Sequence, residues 1–273
     1  MEGQVTLTYR DLVAALRELG LDRSTPVIAH TSLSTFEHIH GGAEAVLGAL
    51  LATCDTLIMP TFTYKTMVIP EVGPPNNGLE YRKGFTTNRL AEIFHPQMPA
   101  DPIMGILPES LRRHPQAERS LHPILSFAGI NAGEALNAQT YAEPLAPIQV
   151  LAESQGWVLL LGVSHTANTS IHYAERLAGR NQFVRWALTA RGVRECPRFP
   201  GCSAGFDIIA TRFEGSVRFT QLGTARLQAI PLPALIETVR EWIANDPVAL
   251  LCERDNCGRC SAVREQAYLT PGV

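Results

Sequence analysis

The sequence predicts an α/β protein, because segments with helical periodicity alternate with short apolar runs along its first part. Apolar residues recur at helical spacing over residues 9–19, and Gly20 follows as a helix stop. The runs at 26–30 and 56–59 are typical of short buried strands, and an apolar helix is predicted between them at 43–52. The order helix, strand, helix, strand is that of an α/β fold.

The alternation continues after a long irregular segment, residues 63–103, which holds many of the prolines and little periodicity. Because such a long connection in a compact domain is usually a functional cover or disordered, we predict that it covers the cleft of one domain spanning 1–273. The later elements are a helix at 107–113, a strand at 125–128, a helix at 148–153, a strand at 157–161, a helix at 171–177, an extended segment at 183–190, and helices at 206–211 and 232–243.

Composition argues against several classes of protein. The net charge is −3 with the two signs well mixed, so the basic surface of a nucleic-acid binder is not expected. No apolar run approaches the roughly 20 residues that cross a bilayer. The first ten residues lack the basic-then-apolar order of a signal peptide, so we expect a cytoplasmic protein without nucleic-acid or membrane partners.

Two polar loops follow predicted strands, where open α/β sheets bind their ligands. In the first, His30 ends a strand and the hydroxyl-rich turn 31–35 follows. Backbone N–H groups and hydroxyls of such a turn can hold phosphate oxygens, and the helix after Gly41 and Gly42 adds a favourable dipole. Because neither G-x-x-x-x-G-K-[ST] nor G-x-G-x-x-G is present, pattern alone leaves both a phosphate site and an ordinary loop open.

The second loop follows WVLLLG and carries His165 and His172. A helix that begins near Ser170, capped by Asn168 or one of the next two residues, places Glu175 on the same face as His172. The carboxylate could then orient the imidazole and make it a better base, although a solvated His–Glu pair on a helix surface is the alternative. The loop lacks the closing glycine of a serine-hydrolase elbow, and no H-E-x-x-H zinc-protease motif is present.

Two further groups of residues are candidates for a site. His122 lies in S-L-H-P, where the proline favours an extended backbone, and it either lines a pocket or is an ordinary turn histidine. The spacing C-x4-C-x2-C at Cys252, Cys257 and Cys260 offers three ligands for a structural zinc ion. Cys202 or Cys196 could be the fourth ligand, and three reduced thiols without metal are the alternative.

These segments, taken in order along nearly the whole chain, resemble the aminoglycoside 3-N-acetyltransferase family. The matching strings are HTSLSTFEHIHGGAEAVLGALL (30–51), TLIMPTFT (56–63), Met104-Gly105, SLHPILSFAG (120–129), LLLGVSHTANTSIHYAE (159–175), GCSAGF (201–206) and QLGTARLQAIPLPALIE (221–237). The resemblance implies a layered α/β fold, with a sheet flanked by helices, that is distinct from the GNAT fold. A GNAT-type Q-x-x-G-x-G/A motif is accordingly not found.

The resemblance also implies an activity and its residues. Acetyl-CoA would be the co-substrate, and its acetyl group would pass directly to an amine of a small aminoglycoside-type antibiotic. His172 would be the catalytic base with Glu175 beside it, and Asn168 and Glu175 would contact the amine substrate, in a monomer or homodimer. The residues implied for coenzyme binding are His30, Thr31, Ser32, Leu33, Ser34, Thr35, Met104, Ser120 and His122.

One departure from the family pattern concerns the acceptor. Family members carry an acidic stretch between the catalytic helix and the glycine-cysteine motif, whereas here 188–201 contains Arg191, Arg194 and Arg198 and only Glu195 as an acid. A different amine acceptor therefore stays open. The sequence is also compatible with a CoA-binding protein with little catalysis, and with a covalent acyltransferase that uses the thiol of residue 202 as its nucleophile.

Overall fold

The computed structural model of the chain describes residues 6–213 and 215–269. The strands within these residues are β1 Thr6–Leu7, β2 Val27–Thr31, β3 His38–Ile39, β4 Leu57–Pro60, β5 Met67–Val68, β6 Glu118–Arg119, β7 Phe127–Ile130, β8 Trp157–Leu161, β9 Phe183–Thr189, β10 Gly192–Phe199, β11 Arg218–Leu222 and β12 Ala225–Pro231. The α-helices are α1 Tyr9–Glu18, α2 Gly42–Thr53, α3 Phe85–Arg89, α4 Ile106–Arg113, α5 Gly133–Ala138, α6 Ala146–Glu153, α7 Thr169–Leu177, α8 Leu232–Asn245 and α9 Gly258–Leu269.

A mixed sheet with the order β11-β12-β8-β2-β4-β7-β6 forms the centre of the molecule. Its middle strands β8, β2 and β4 are parallel, and the outer strands on both sides are added antiparallel. The middle strands are buried on both faces, which explains why their sequences are continuous apolar runs rather than alternating ones. Two smaller sheets have the orders β10-β9-β5 and β1-β3.

Helices cover both faces of the central sheet and create two separate apolar cores. Helices α5, α6, α7 and α8 pack on one face, together with β9 and β10. Helices α1, α2 and α4 pack on the opposite face. Successive residues of β2 alternate between these cores, as the two-residue period of a strand requires: Ile28 faces the α7 side, whereas Val27 and Ala29 face the α2 side.

The segment 63–103 contains short helices and a short strand of its own, and it is attached to the three-stranded sheet β10-β9-β5. The side-chain amide of Asn77 accepts from the backbone N–H of Val184 at 2.7 Å and donates to its carbonyl at 3.0 Å. Asn88 makes the equivalent pair with Ile69, at 2.7 Å and 2.8 Å. Because β5 also pairs with β9, the segment lies along that sheet rather than hanging free.

Several elements differ from the sequence-based expectations. The predicted strand at 125–128 begins two residues later, as β7, and the predicted helix at 206–211 is a 3-10 helix, Phe206–Arg212. The strands β10, β11 and β12 and the helix α9 were missed. In β10 the side chains alternate poorly between exposed and buried, so no strand periodicity was visible.

No helix within the described ranges is long and apolar enough to span a bilayer. The expectation of a cytoplasmic location rests partly on residues 1–5, which lie outside the described residues.

Candidate active site

The two polar loops predicted from the sequence lie side by side at one edge of the central sheet. Strands β2 and β8 are parallel neighbours, with Thr31 opposite Leu161. The backbone N–H of Ser32 donates to the carbonyl of Leu161 at 3.0 Å, so the first loop leaves the sheet directly against the start of the second. Parallel strands place their carboxyl ends together, which is where ligands of such sheets bind.

The turn 31–35 is short and internally bonded. The Thr35 hydroxyl donates to the Ser32 carbonyl at 2.7 Å, and the hydroxyl oxygens of Ser32 and Ser34 lie 3.0 Å apart. Gly105, which precedes helix α4, approaches this turn so closely that a Cβ there would lie 3.5 Å from the carbonyl oxygen of Thr31. Met104 and the amino end of α4 therefore lie beside the turn.

His30 is fully enclosed at the end of β2. By strand alternation it shares the face of Ile28, and its partner across the sheet, Leu160, lies in the same core as helix α7. Burial lowers the pKa of His30 to about 3, so its imidazole is neutral at physiological pH. Its Nε2 atom is buried and has no hydrogen-bond partner in the described parts of the chain.

Ser120 and His122 are also buried, with their polar atoms engaged to different extents. The Ser120 hydroxyl accepts from the backbone N–H of Phe127 at 2.8 Å and donates to its carbonyl at 3.3 Å, so it holds the local backbone. Nδ1 of His122 accepts from the backbone N–H groups of Ile124 and Leu125, at 3.2 Å and 2.9 Å. Two donors onto Nδ1 fix the tautomer with the proton on Nε2, and burial lowers the pKa to about 3.

The loop after β8 ends at a well-capped helix. The side-chain carbonyl of Asn168 accepts from the backbone N–H of Ser170 at 3.1 Å, which starts helix α7 as predicted. Asn168 itself is fully buried. Its side-chain carbonyl thus fixes the turn into α7, whereas Nδ2 is buried without a hydrogen-bond partner among the described residues. A contact between Asn168 and the amine substrate, which the family pattern suggested, stays a prediction.

Helix α7 and the turn that follows it carry a buried chain of three charged or titratable side chains. Nδ1 of His172 lies 2.7 Å from one carboxylate oxygen of Glu175, and the Arg180 guanidinium donates to the other at 2.6 Å. The exposed fractions of His172 and Glu175 are only 8% and 2%, which rules out the solvated surface pair. Arg180 also donates to the backbone carbonyls of Pro247 and Ala249, at 3.0 Å and 2.7 Å.

This arrangement prepares His172 for proton transfer. Burial by itself would raise the pKa of Glu175, but the hydrogen bond and charge of His172 and the charge of Arg180 outweigh it and lower that pKa. Since an ionised carboxylate accepts a hydrogen bond, Nδ1 of His172 carries a proton, and in the neutral imidazole Nε2 is then the nitrogen with the free lone pair. None of the described residues forms a hydrogen bond with Nε2 of His172. The ring of Phe206, 4.7 Å away between centroids, supports the imidazole.

One carboxylate oxygen of Glu175 is hydrogen-bonded to His172 and the other to Arg180. This geometry does not support the substrate contact expected for Glu175. His165, the other histidine of the loop, stacks on Phe213 with centroids 5.9 Å apart. Burial lowers its pKa, and neither ring nitrogen has a partner among the described residues. Its stacking indicates that it shapes the loop.

Sequence reasoning missed Arg180 and Phe206 as members of this site. Arg180 lies beyond the end of the predicted helix, after the left-handed Gly179, so helical spacing did not pair it with Glu175. Phe206 was only part of a family-like string. Cys202, considered as a nucleophile, lies instead among other cysteines, and no histidine in the described residues bonds its sulfur.

A cavity of about 620 Å³ opens between the segment 63–103, Tyr141 and the β9–β10 hairpin. Its wall includes Arg191 and Arg194 but only one acid, Glu195, and it does not include His172. Tyr141 lines this cavity, and the centroid of its ring lies 5.7 Å from that of His122. The hairpin thus presents positive charge, as the sequence of 188–201 predicted.

A family profile described as aminoglycoside 3-N-acetyltransferase matches residues 28–244 of the chain. The chain belongs to this family. Aminoglycoside N(3)-acetyltransferase VII from Streptomyces paromomycinus is 33% identical over 247 residues, which cover 81% of this chain and 80% of that protein. The aminoglycoside N(3')-acetyltransferase-like protein YokD from Bacillus subtilis is 26% identical over 254 residues, covering 88% and 93% of the two chains.

The solved structures of the family share the fold. The apoenzyme of aminoglycoside acetyltransferase AAC(3)-IVa superposes with a TM-score of 0.77 at 23% identity, covering 96% of this chain and 99% of that one. YokD gives a TM-score of 0.76 at 22% identity, with 89% and 95% coverage. The predicted family and the predicted layered α/β fold, distinct from GNAT, are both confirmed, and the family is one of acyltransferases.

Proposed function

We propose that this enzyme transfers the acetyl group of acetyl-CoA directly to an amine of an aminoglycoside-type antibiotic, with His172 as general base. The observation that carries the proposal is the buried chain His172–Glu175–Arg180 at the ligand-binding edge of the sheet, with Nε2 of His172 unengaged by the described residues. Most alkylamines are protonated at neutral pH, so a base is needed to provide the nucleophilic lone pair.

The reaction follows from this geometry. The amine nitrogen attacks the thioester carbonyl carbon while Nε2 of His172 accepts a proton from that nitrogen. The C–S bond then breaks, and the coenzyme leaves as a thiolate that takes up a proton. Glu175 touches neither substrate in this scheme: it is a positioning residue that fixes the imidazole and stabilises its protonated form, and Arg180 holds Glu175 ionised.

The coenzyme is proposed to lie along the turn 31–35 and the amino end of α4. The turn offers hydroxyls and backbone N–H groups, and the amino end of α4 offers backbone N–H groups, which suit the pyrophosphate as helix amino ends generally do. His30 and His122 would contribute neutral N–H donors, Leu33 and Met104 apolar contacts, and Ser120 the backbone geometry. A related structure, AAC-IIIb, is described as a binary complex with CoASH and superposes with a TM-score of 0.70 at 22% identity.

The acceptor is proposed to be an aminoglycoside because related structures are described with such ligands: AAC(3)-IVa variants with a gentamicin and with apramycin, and AAC-VIa with sisomicin. One feature favours another amine. The acid Glu143 is paired with both Arg176 and Arg198, and the nearby hairpin is basic, so these groups offer little charge to a polycation. This distribution of charge predicts either that the enzyme accepts few aminoglycosides or that its acceptor is a less charged amine.

We also propose that the chain forms a single domain in which the segment 63–103 covers the cleft. Phe94 and Pro96 of this segment contribute to the cavity wall beside the β9–β10 hairpin, and the backbone N–H of Phe94 donates to the carbonyl of Leu188 at 2.9 Å, which supports that role.

The proposed function predicts thiol release from acetyl-CoA in the presence of a suitable amine. A panel of gentamicin-like and apramycin-like drugs and simple polyamines would be screened with a thiol reagent, and the product identified by its added acetyl mass. We expect sequential kinetics, because transfer is direct. A rise in thermal midpoint with acetyl-CoA but no thiol release with any amine would instead indicate a CoA-binding protein. Ping-pong kinetics would point to a covalent route.

A glycine pair tests the coenzyme-binding turn. Gly162, at φ +65°, lies where an added Cβ would overlap the Thr35 hydroxyl and approach the Ser32 carbonyl at 3.1 Å. Gly179 has a similar φ of +79° but open space around it. Both alanine variants carry the left-handed backbone strain of about 1–2 kcal/mol, whereas only Gly162→Ala displaces the turn.

We therefore expect Gly162→Ala to raise KM for acetyl-CoA by about tenfold or more, equivalent to about 1.4 kcal/mol of lost binding. Gly179→Ala should leave KM near the wild-type value while lowering stability slightly. Initial-rate kinetics at varied acetyl-CoA would measure both. Equal KM values in the two variants would contradict the placement of the coenzyme at this turn.

A further inference from the structure

Four cysteines that are distant in sequence meet outside the His172 site. The sulfur atoms of Cys202, Cys252, Cys257 and Cys260 all lie within 4.8 Å of one another. We refer to these four residues as the cysteine cluster. All four are free thiols, three of them buried and Cys257 partly exposed. Cys196, the other residue considered as a fourth ligand, is not among them; it is buried in β10.

The spacing of the cluster suits a tetrahedral metal ion. Four sulfurs about 2.3 Å from a zinc ion are separated by about 3.8 Å, so the observed separations need only small adjustments. The sulfur atoms of Cys252 and Cys260 lie 3.4 Å apart. Zinc prefers four thiolate or imidazole ligands in its structural sites, and C-x2-C, here Cys257 and Cys260, is a common half-site.

The surroundings of the cluster favour thiolates. The backbone N–H of Ala204 donates to the sulfur of Cys202 at 3.5 Å, and the Arg254 guanidinium donates to the same sulfur at 3.5 Å. The backbone donor, Ala204, lies two residues after Cys202 in the chain. Such donors orient the sulfur and stabilise its charge, as outer-shell hydrogen bonds do at metal sites.

The amino end of helix α9 contributes to the same environment. Cys257 immediately precedes this helix and Cys260 lies in its first turn, where the helix dipole favours negative charge. The chain thus supplies four sulfurs, a backbone N–H donor and a guanidinium to one of them, and a helix amino end. These features do not depend on one another, and together they point to an ion that needs thiolate ligands.

We propose that the cysteine cluster binds one Zn²⁺ ion in a closed structural site that fastens α9 to the loop following β10. Binding exchanges the thiol protons for four Zn–S bonds, with release of the protons to solvent and no change in oxidation state. Because all four positions are filled by protein, no position is open for a water or substrate, and the ion takes no part in the acetyl transfer.

The position of the cluster explains what such an ion would stabilise. The Arg259 guanidinium, in α9, donates to the carbonyl of Gly201 at 2.7 Å, and Gly205 packs against the backbone of Leu250 and Leu251. Gly201 approaches Glu175, since a Cβ there would lie 3.9 Å from its carboxylate. The zinc site would hold together the loop and the C-terminal segment that enclose the buried Glu175 side chain.

The first test measures metal in the whole protein, purified under reducing conditions from cells supplied with both zinc and iron. We expect about one zinc and essentially no iron per chain, as a single four-ligand site requires. Replacement by Co²⁺ should give the intense visible bands and sulfur-to-cobalt charge-transfer bands of a tetrahedral thiolate site. Iron without zinc, or a metal-free protein whose cobalt titration gives no such bands, would overturn the proposal.

Serine variants locate the ligands. Cys202→Ser and Cys257→Ser should each lower the zinc retained against a competing chelator to about a tenth or less, because a ligand is lost. Cys54→Ser and Cys196→Ser remove cysteines outside the cluster and should retain the metal. Full zinc retention by Cys202→Ser would exclude the proposed fourth ligand. Cobalt spectra of the wild type decide the matter even if a variant fails to fold.

A readout that does not use activity tests the structural role. Zinc removal by a chelator should lower the thermal midpoint and expose residues 252–269 to protease, and both effects should reverse when zinc is restored. A disulfide-bonded cluster would instead show fewer than the six free thiols in the denatured, chelated protein, and would contradict the proposal. Because none of these measurements involves acetyl-CoA, they stand apart from the proposed acetyl transfer.

Discussion

Replacing His172 by alanine is expected to lower kcat by about two or more orders of magnitude, the usual effect of losing a general base. The loss should fall on kcat rather than on KM for acetyl-CoA, because the coenzyme is proposed to bind at the turn 31–35 and the amino end of α4. Steady-state kinetics with the best amine from the panel would measure it.

His40→Ala is the matched control, since His40 is exposed at the start of α2 and should leave turnover near the wild-type value. The fold of His172→Ala should be verified by its thermal midpoint and by its stabilisation with acetyl-CoA. A folded His172→Ala protein with nearly normal turnover would remove His172 as the base, while leaving membership of the family untouched.

Replacing Arg180 by alanine is expected to destabilise the protein by about 3–5 kcal/mol, because it leaves the buried Glu175 carboxylate with one partner fewer. It also removes the donor to the carbonyls of Pro247 and Ala249. Denaturant unfolding at pH 7 would measure the loss. Arg176→Ala is the control: its ion pair with Glu143 is about a quarter to a third exposed and should contribute no more than about 1 kcal/mol.

The difference between wild type and Arg180→Ala should depend on pH in a defined direction. The folded pKa of Glu175 lies below its ordinary value of 4.5. A carboxyl with a lowered pKa stabilises the folded state above the unfolded pKa, and this stabilisation is lost as pH falls through the folded pKa. The gap should therefore be widest at neutral pH and narrow below pH 4.5. A gap that stays constant down to acid pH would show that the ionised Glu175 is not its source.

The elements that the sequence predicted well are those whose environment is uniform along the chain. Strands β2, β4 and β8 are buried on both faces, so their apolar runs are continuous, and the N-cap of α7 depends only on a local side-chain contact. Strand β10 and helix α9 were not predicted. Their apolar residues do not follow a simple period, because they meet the core irregularly or are held by polar and sulfur groups.

The candidate site shows the same division between local and distant contacts. Three-residue spacing was enough to pair His172 with Glu175, because helix geometry brings those side chains together. The same local rule could not find Arg180, whose bond to Glu175 depends on the chain turning after α7. Nor could it choose between Cys202 and Cys196 for the cysteine cluster, since that choice is made by a loop far from α9 in sequence.

The backbone carbonyls that hold Arg180 have a consequence for biosynthesis. They belong to Pro247 and Ala249, so the guanidinium acquires these acceptors only after residue 249 has been synthesised. The His172–Glu175 contact is local and forms early, whereas the backbone that supports Arg180 comes from a segment synthesised much later. A nonsense mutation before codon 247 would thus yield a polypeptide that contains His172 and Glu175 but lacks the backbone carbonyls that hold Arg180 against Glu175.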